Sequence, residues 1–262
     1  MDPSALVQKL HTPLPVHRLD GKVVIITGGA GRIGVETAGR LLRDGANVCI
    51  VDIDAKAVEA ATKILKETLH TGQALQSRIL TVVGDVTDES AVEAFVKRTL
   101  IHFRRLDCVF LNAGANSQEA SIFDTKVDDY ERIMRVNVKS AFLGLKHAAK
   151  AMRDLGNGGS IILTSSIAGM RAAPGLILDS GSKFAVRGLA LTAASELGQY
   201  GIRVNTIHPS GIDGPLEEIE EPSLGRSAKV DDIAGVVAFL ASEDSKFMTG
   251  GSLKIDGGSV VP

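Results

Sequence analysis

Val23-Val24-Ile25-Ile26-Thr27 runs straight into Gly28-Gly29-Ala30-Gly31-Arg32-Ile33-Gly34, and helical spacing then extends over residues 31–44 until Gly45 stops it. A β-branched apolar run, a glycine cluster and a helix with a glycine after its end spell strand, tight turn, helix. Gly29, Gly31 and Gly34 fit the pattern G-x-G-x-x-G. Glycines at Gly28, Gly31 and Gly34 let the backbone turn sharply and approach a pyrophosphate, which then sits on the helix N-terminus. A second apolar strand, residues 48–52, ends at Asp52, 18 residues after Gly34. A carboxylate there accepts hydrogen bonds from both hydroxyls of an adenosine ribose. The glycine pattern alone is a weak signal; strand, turn, helix, strand and acid in this order point to a dinucleotide. Asp52 favours NAD, because a 2′-phosphate would meet a like charge. Arg32 is the counterweight, since a guanidinium pairs with that phosphate, so NADP stays possible.

Outward from this unit, strand-like and helix-like segments keep alternating. Residues 55–69 are amphipathic, with Val58, Ala61, Ile64, Leu65 and Leu69 on one stripe. Strands are expected at 79–84, 107–112, 160–164, 203–208 and Ser252–Ile255, and helices near 90–102, 128–155, 180–199 and 231–241. Short apolar strands separated by helices predict an α/β fold: a doubly wound Rossmann sheet of seven parallel strands with helices on both faces. Its binding crevice lies at the carboxyl ends of the strands. No linker divides the chain, so residues 21–262 read as one domain. Residues 1–20, with Pro13 and Pro15, read as a surface extension. In such a sheet Cys49 and Cys108 sit two strand spacings apart, roughly 9–10 Å. That is too far for a disulfide, and both thiols are expected to be inert core groups.

Composition narrows the function. The chain has 262 residues, 44% hydrophobic and 23% charged, with 29 basic against 31 acidic side chains. A net charge of −2 offers nothing to neutralise a phosphate backbone, so nucleic acid is not expected as a partner. No apolar run approaches the roughly 18 residues of a membrane span, and the first residues lack a secretory pattern. Two cysteines make no disulfide framework, which suits a reducing cytoplasmic setting. Tyrosine is scarce, with Tyr130 and Tyr200 alone.

Further motifs follow in order: Gly84-Asp85-Val86-Thr87, Asn112-Ala113-Gly114, Val136-Asn137-Val138, Gly159 to Ser166, Ser180-Gly181-Ser182-Lys183, Arg203 to Pro209, and Asp256-Gly257-Gly258. With the glycine turn, this series resembles the short-chain dehydrogenase/reductase family over residues 20–258, in its compact branch of about 250 residues. Arg32 departs from that branch, which usually has glycine there. The resemblance implies an oxidoreductase acting on small to mid-sized alcohols or ketones. By resemblance, Asp85 and Val86 bracket the adenine, while Asn112, Ala113, Gly114 and Pro209 line the cofactor. Asn137 resembles a residue that disturbs a helix and holds a relay water. Ser166 resembles the serine that orients the substrate oxygen, with Ser165 as the one-residue alternative. Lys183 is expected on the nicotinamide ribose. Met170, Ala172, Ala173, Pro174 and Leu176 are candidates to line the substrate cleft. A homo-oligomer, dimer or tetramer, is implied by the resemblance alone.

The family's acid/base is a tyrosine four residues before the lysine. Here that position holds Asp179, with the spacing to Ser166 and Lys183 intact. Tyr130 and Tyr200 lie elsewhere and read as structural. A carboxylate beside an ammonium is an anion at neutral pH, able to take a proton but poor at giving one. Alcohol oxidation then survives and carbonyl reduction suffers. Two other readings of Asp179 stand beside this one: burial that keeps it protonated, and a plain helical ion pair with Lys183 worth roughly 0.3–0.5 kcal/mol. A second departure is Ser210 and Gly214, where the family pattern has Gly and Thr. The segment after it carries Glu217, Glu218, Glu220 and Glu221, which argues against an anionic substrate entering on that side. Redox-neutral chemistry on the same scaffold (isomerase, dehydratase, lyase or cyclase) and a silent nucleotide-binding homologue are the competing functions.

Overall fold

The computed structural model describes residues 17–68, 77–212 and 222–260. Among the described residues, seven strands form one parallel sheet: β1 (Val23–Thr27), β2 (Asn47–Asp52), β3 (Ile79–Val83), β4 (Cys108–Leu111), β5 (Gly159–Thr164), β6 (Ile202–Pro209) and β7 (Ser252–Ile255). Their order across the sheet is β3-β2-β1-β4-β5-β6-β7. The helices are α1 (Arg32–Arg43), α2 (Ala55–Thr68), α3 (Glu89–Phe103), α4 (Val127–Ile133), α5 (Ser140–Leu155), α6 (Ile177–Leu197) and α7 (Val230–Ala241).

The unbroken apolar strands have a direct cause. In β1, Val23 and Ile25 pack on one face with Phe95, Met152 and Val186 of α3, α5 and α6. Val24 and Ile26 pack on the other with Leu41 of α1 and Val237 of α7. Both faces are covered, so no polar alternation survives. Burying each such side chain contributes roughly 1.5–3 kcal/mol. Chain order then makes the crevice. The chain leaves β1 towards β2 and β3, and returns to β4 on the other side of β1. The connections diverge above the carboxyl ends of β1 and β4, which is where the doubly wound fold opens a site.

Some expectations shift. Leu19 is fully buried and its N–H donates to Asp44 O at 2.9 Å, so residues 17–20 belong to the packed domain and not to an extension. Residues 1–16, Leu69 and the acidic stretch 213–221, with Gly214, lie outside the described residues. The single helix expected over 128–155 is two helices joined by a π-helical turn, Met134–Lys139, centred near Asn137. Helix α6 starts three residues earlier than expected, which puts Asp179 in its first turn. Cys49 and Cys108 are buried free thiols on the two strands flanking β1, as the sheet reading predicted. Burial pushes them up to about 11 and about 12.

Candidate functional site

A cavity of about 1030 Å³ lies over the carboxyl ends of the central strands. Its floor is built by close backbone contact. Gly28 has φ +61°, and a Cβ there would stand 2.9 Å from Ala113 Cα. Thr27 Oγ1 accepts the N–H groups of Asn112 (3.0 Å) and Ala113 (3.2 Å), and Asn112 Nδ2 donates to Gly28 O at 3.3 Å. Thr164 Oγ1 donates to Asn112 Oδ1 at 3.2 Å, which ties β5 to the same edge. Gly34 works differently from the sequence expectation. It is buried behind the turn and does not line the cavity; a Cβ there would meet Gly28 O at 2.4 Å. Its role is to let the turn lie on α1. That helix begins at Gly31 with no side-chain cap and no acid in its first turn, so its first N–H groups stay available to an anion. These features fit a pyrophosphate.

Gly28, Gly31, Arg32, Ile33 and Asp52 line one part of the cavity, with Asp85 and Val86 beside them. Asp52 already accepts Ala30 N–H (3.1 Å) and Ile53 N–H (2.8 Å), which fixes its carboxylate against the turn. Two carboxylate oxygens retain further lone pairs for ribose hydroxyls. Asp85 accepts Thr87 N–H at 2.8 Å, and this bond, helped by the charges of Arg135 and Lys139, holds its carboxyl below the usual range. Asn112, Ala113, Gly114 and Pro209 line the same cavity further along.

At the far end lie Ser166 and Lys183. Ser166 Oγ accepts Ala168 N–H at 3.2 Å, which leaves its own hydrogen to donate. Ser165 is buried and donates to Lys183 O at 3.0 Å, so its hydroxyl is committed to the backbone. Asn137 is buried in the π-helical turn. Its Oδ1 accepts Ala115 N–H at 2.8 Å, and its Nδ2 donates to Ala115 O (2.9 Å) and Ser182 Oγ (3.0 Å). It therefore clamps the loop after β4 to α6. Lys183 Nζ donates to Thr164 O at 3.2 Å, and burial holds its ammonium down to about 8, with Asp179 opposing the shift.

Asp179 is not where the sequence reading expects it. It does not line the cavity, and its carboxylate accepts the N–H of Ser117 at 3.0 Å and 3.2 Å together with the Ser117 hydroxyl. It also closes no ion pair with Lys183, whose hydrogen bond goes to Thr164 O instead. Its first-turn position and the loop after β4 explain this: the carboxylate lies beside a serine whose N–H and O–H both point at it. Tyr130 and Tyr200 are about half exposed, and neither lines the cavity. Of the expected substrate-side residues, Ala173 and Leu176 line the cavity; Met170, Ala172 and Pro174 do not.

Three participants were not singled out as site residues by the sequence. Ser117 meets Asp179 across 62 residues. His208 is buried, with Nδ1 2.8 Å from Ser166 O and Nε2 2.8 Å from Thr206 Oγ1, and burial lowers its pKa. A carbonyl only accepts, so Nδ1 carries the hydrogen and braces the Ser166 backbone. Arg171 lines the substrate side. Among the described residues no cluster fit to hold a metal ion occurs, and no helix is long and apolar enough to cross a membrane.

Known proteins carry the same architecture. A family profile described as enoyl-(acyl carrier protein) reductase matches residues 28–259. Levodione reductase of Leifsonia aquatica is 33% identical, over 94% of this chain and 97% of its own. Trans-4-hydroxycyclohexanecarboxylate dehydrogenase of Sinomonas cyclohexanicum is 36% identical, over 92% and 93%. The crystal structure of NAD+-bound xylitol dehydrogenase superposes with a TM-score of 0.84 at 32% identity, over 92% of this chain and all of that one. Sheet order, glycine turn and these full-length matches agree: the chain belongs to the short-chain dehydrogenase/reductase family.

Proposed function

We propose that this protein is an NAD-dependent oxidoreductase that interconverts a small to mid-sized alcohol and its ketone. The observation that carries the reading is one continuous cavity, with the glycine turn and Asp52 at one end and Ser166 and Lys183 at the other. Relatives named for levodione and for a hydroxycyclohexanecarboxylate support a ring-bearing secondary alcohol or ketone as the substrate class. The NAD+ bound to xylitol dehydrogenase supports the cofactor, and Asp52 favours it over NADP through like-charge repulsion.

When bound, the nicotinamide supplies the hydride acceptor or donor. The chain's own residues do the rest. The N–H groups opening α1 hold the pyrophosphate, Asp52 orients the adenosine ribose, and Asp85 with Val86 frames the adenine. Ser166 donates its hydroxyl hydrogen to the substrate oxygen. Asn137 keeps the loop after β4 against α6, and Lys183 stands at the nicotinamide end. The acid/base site is atypical, because Asp179 occupies the place of the family's tyrosine. Exposed Val127, Tyr130, Phe142 and Phe184 on α4, α5 and α6 support a homo-oligomer, dimer or tetramer. Two free buried thiols suit a reducing, cytoplasmic setting.

Calorimetry with NAD+ and NADP+, followed by initial rates on a panel of cyclic alcohols and ketones, tests the proposal. Tighter NAD+ binding with turnover supports it. NAD+ binding without turnover anywhere on the panel favours a silent nucleotide-binding homologue, and cofactor-independent conversion favours a redox-neutral enzyme.

A further inference from the structure

We propose that Lys183, not Asp179, exchanges the proton with the substrate oxygen, and that Asp179 acts on it from outside the cleft as a fixed charge held by Ser117. The inference rests on the oxidoreductase reading and names the group that replaces the missing phenol. Three observations support it. First, the Asp179 carboxylate is turned away: it accepts both the N–H and the hydroxyl of Ser117 and does not line the cavity. A carboxyl group also ends several ångströms short of where a phenolic oxygen on the same Cα would reach. Second, Lys183 and Ser166 line one cavity that Asp179 does not reach. Its Nζ has one hydrogen-bond acceptor, Thr164 O at 3.2 Å, so two of its three donor directions face elsewhere. Third, Gly114 lines the same cavity next to the amine, and a Cβ there would stand 3.6 Å from Nζ. Without that side chain, a substrate oxygen has open approach to the amine.

Electrostatics make the assignment workable in both directions. Burial brings the ammonium down to about 8. The charged and titratable groups about it are Asp179 and Arg187, one turn to either side on its own helix, and His208 at the end of β6; Asp179 favours the ammonium, and burial, with the charges of Arg187 and Lys183, holds His208 towards neutrality. In oxidation, the neutral amine takes the hydroxyl proton. The O–H bond breaks and an N–H bond forms, and the carbinol hydride leaves to the oxidised nicotinamide dinucleotide as the carbonyl forms. In reduction, the ammonium returns the proton to the carbonyl oxygen while hydride arrives from the reduced dinucleotide. An aspartate anion alone supports only the first direction.

The test uses the full chain. Lys183 is titrated by NMR after reductive ¹³C-methylation, its signal identified by its loss in Lys183→Met. NAD+-dependent oxidation of trans-4-hydroxycyclohexanecarboxylate and cyclohexanol is followed against pH. The wild type should show a lysine midpoint near 8 and a rate that rises through the same midpoint. Asp179→Asn should slow oxidation by less than about tenfold and move both midpoints down together by about one unit or less, at the low end of what a nearby opposite charge supplies. Ser117→Ala frees Asp179 to approach the amine, so its midpoint should not fall below the wild type's; it covers the case in which Asp179→Asn fails to fold. A loss of 100-fold or more in folded Asp179→Asn assigns the proton to Asp179, and a Ser117→Ala midpoint below the wild type's removes Asp179 as the balancing charge; either overturns the proposal while leaving the oxidoreductase reading intact. A lysine midpoint at its ordinary 10.5 also overturns it. A wild type that binds NAD+ yet oxidises neither alcohol, nor any other member of the panel, removes the oxidoreductase reading, and the lysine assignment falls with it.

Discussion

Substituting Gly34 by alanine drives a methyl group into backbone that cannot move aside. The added Cβ would stand 2.4 Å from Gly28 O, 2.6 Å from Gly29 Cα and 2.8 Å from Gly29 C. The turn must therefore lift off α1 by more than half an ångström, since every close contact is main chain. Overpacking of this kind costs about 1–3 kcal/mol. In a domain of this size that lowers the melting temperature by about 2–12 °C. The same displacement moves the N–H groups that would meet a pyrophosphate. Weakening one hydrogen bond to a charged group costs about 1.5–3 kcal/mol, so NAD+ affinity should fall about tenfold to a hundredfold. Gly39 supplies the control. It is buried in the same helix, but a Cβ there meets Leu65 Cδ2 at 3.5 Å and Arg43 Nη1 at 4.0 Å, both ordinary contacts. Gly39→Ala should stabilise the chain by about 0.4–1 kcal/mol and leave NAD+ affinity alone. Scanning fluorimetry and calorimetry on both variants decide the matter. A Gly34→Ala protein with wild-type melting temperature and NAD+ affinity would refute the steric account of the turn.

Asp107 is buried and accepts Val23 N–H at 2.9 Å and Arg105 Nε at 2.6 Å, so Asp107→Ala strands the first N–H of β1. The expected loss is about 1–3 kcal/mol by urea denaturation, and an unmoved midpoint would count against it. Arg226 and the Lys229 N–H hold the Asp232 carboxyl down to about 2, from an ordinary 3.8. A depressed carboxyl stabilises the fold above its unfolded pKa and loses that contribution as pH falls through the folded value. Asp232→Asn should therefore melt below the wild type near neutral pH, with the gap closing between 3.8 and about 2; a gap that persists in acid would disprove the pairing. Cys49 and Cys108, pushed up to about 11 and about 12, should resist iodoacetamide at neutral pH in the folded protein and react once unfolded, as mass spectrometry would report.

The dinucleotide half of the site was legible because it is local. Gly28 to Gly34 is one strand-turn-helix unit, and Asp52 closes the next strand, so spacing along the chain fixes their meeting. Ser166 and Lys183 were legible for a related reason: each sits where a strand or helix of the sheet must present it. The π-helical turn at Asn137 was hidden from helical spacing, which reads the same on either side of a one-residue excess; only the resemblance marked Asn137 as a residue that disturbs a helix. The fate of Asp179 was hidden too. Its partner Ser117 lies in an irregular loop 62 residues away, with no periodicity to mark it. The ion pair with Lys183 is the natural expectation for an i,i+4 pair, yet two donors from one loop residue take the carboxylate instead.

Apolar strands in alternation with helices determined the layered sheet, the glycine turn determined where the N–H groups opening α1 lie, and the spacing along the chain put Asp52 at the end of β2 beside them. Those are consequences of short-range backbone geometry and of side-chain periods of two and 3.6, which the chain carries wherever it goes. Which hydroxyl stays available, which carboxylate is turned aside and which ammonium is stripped of water were decided only when distant loops closed over the carboxyl ends of β4, β5 and β6. Hydrogen-bond partners and desolvation belong to the packed surroundings of a group, and those surroundings exist only in the assembled tertiary structure.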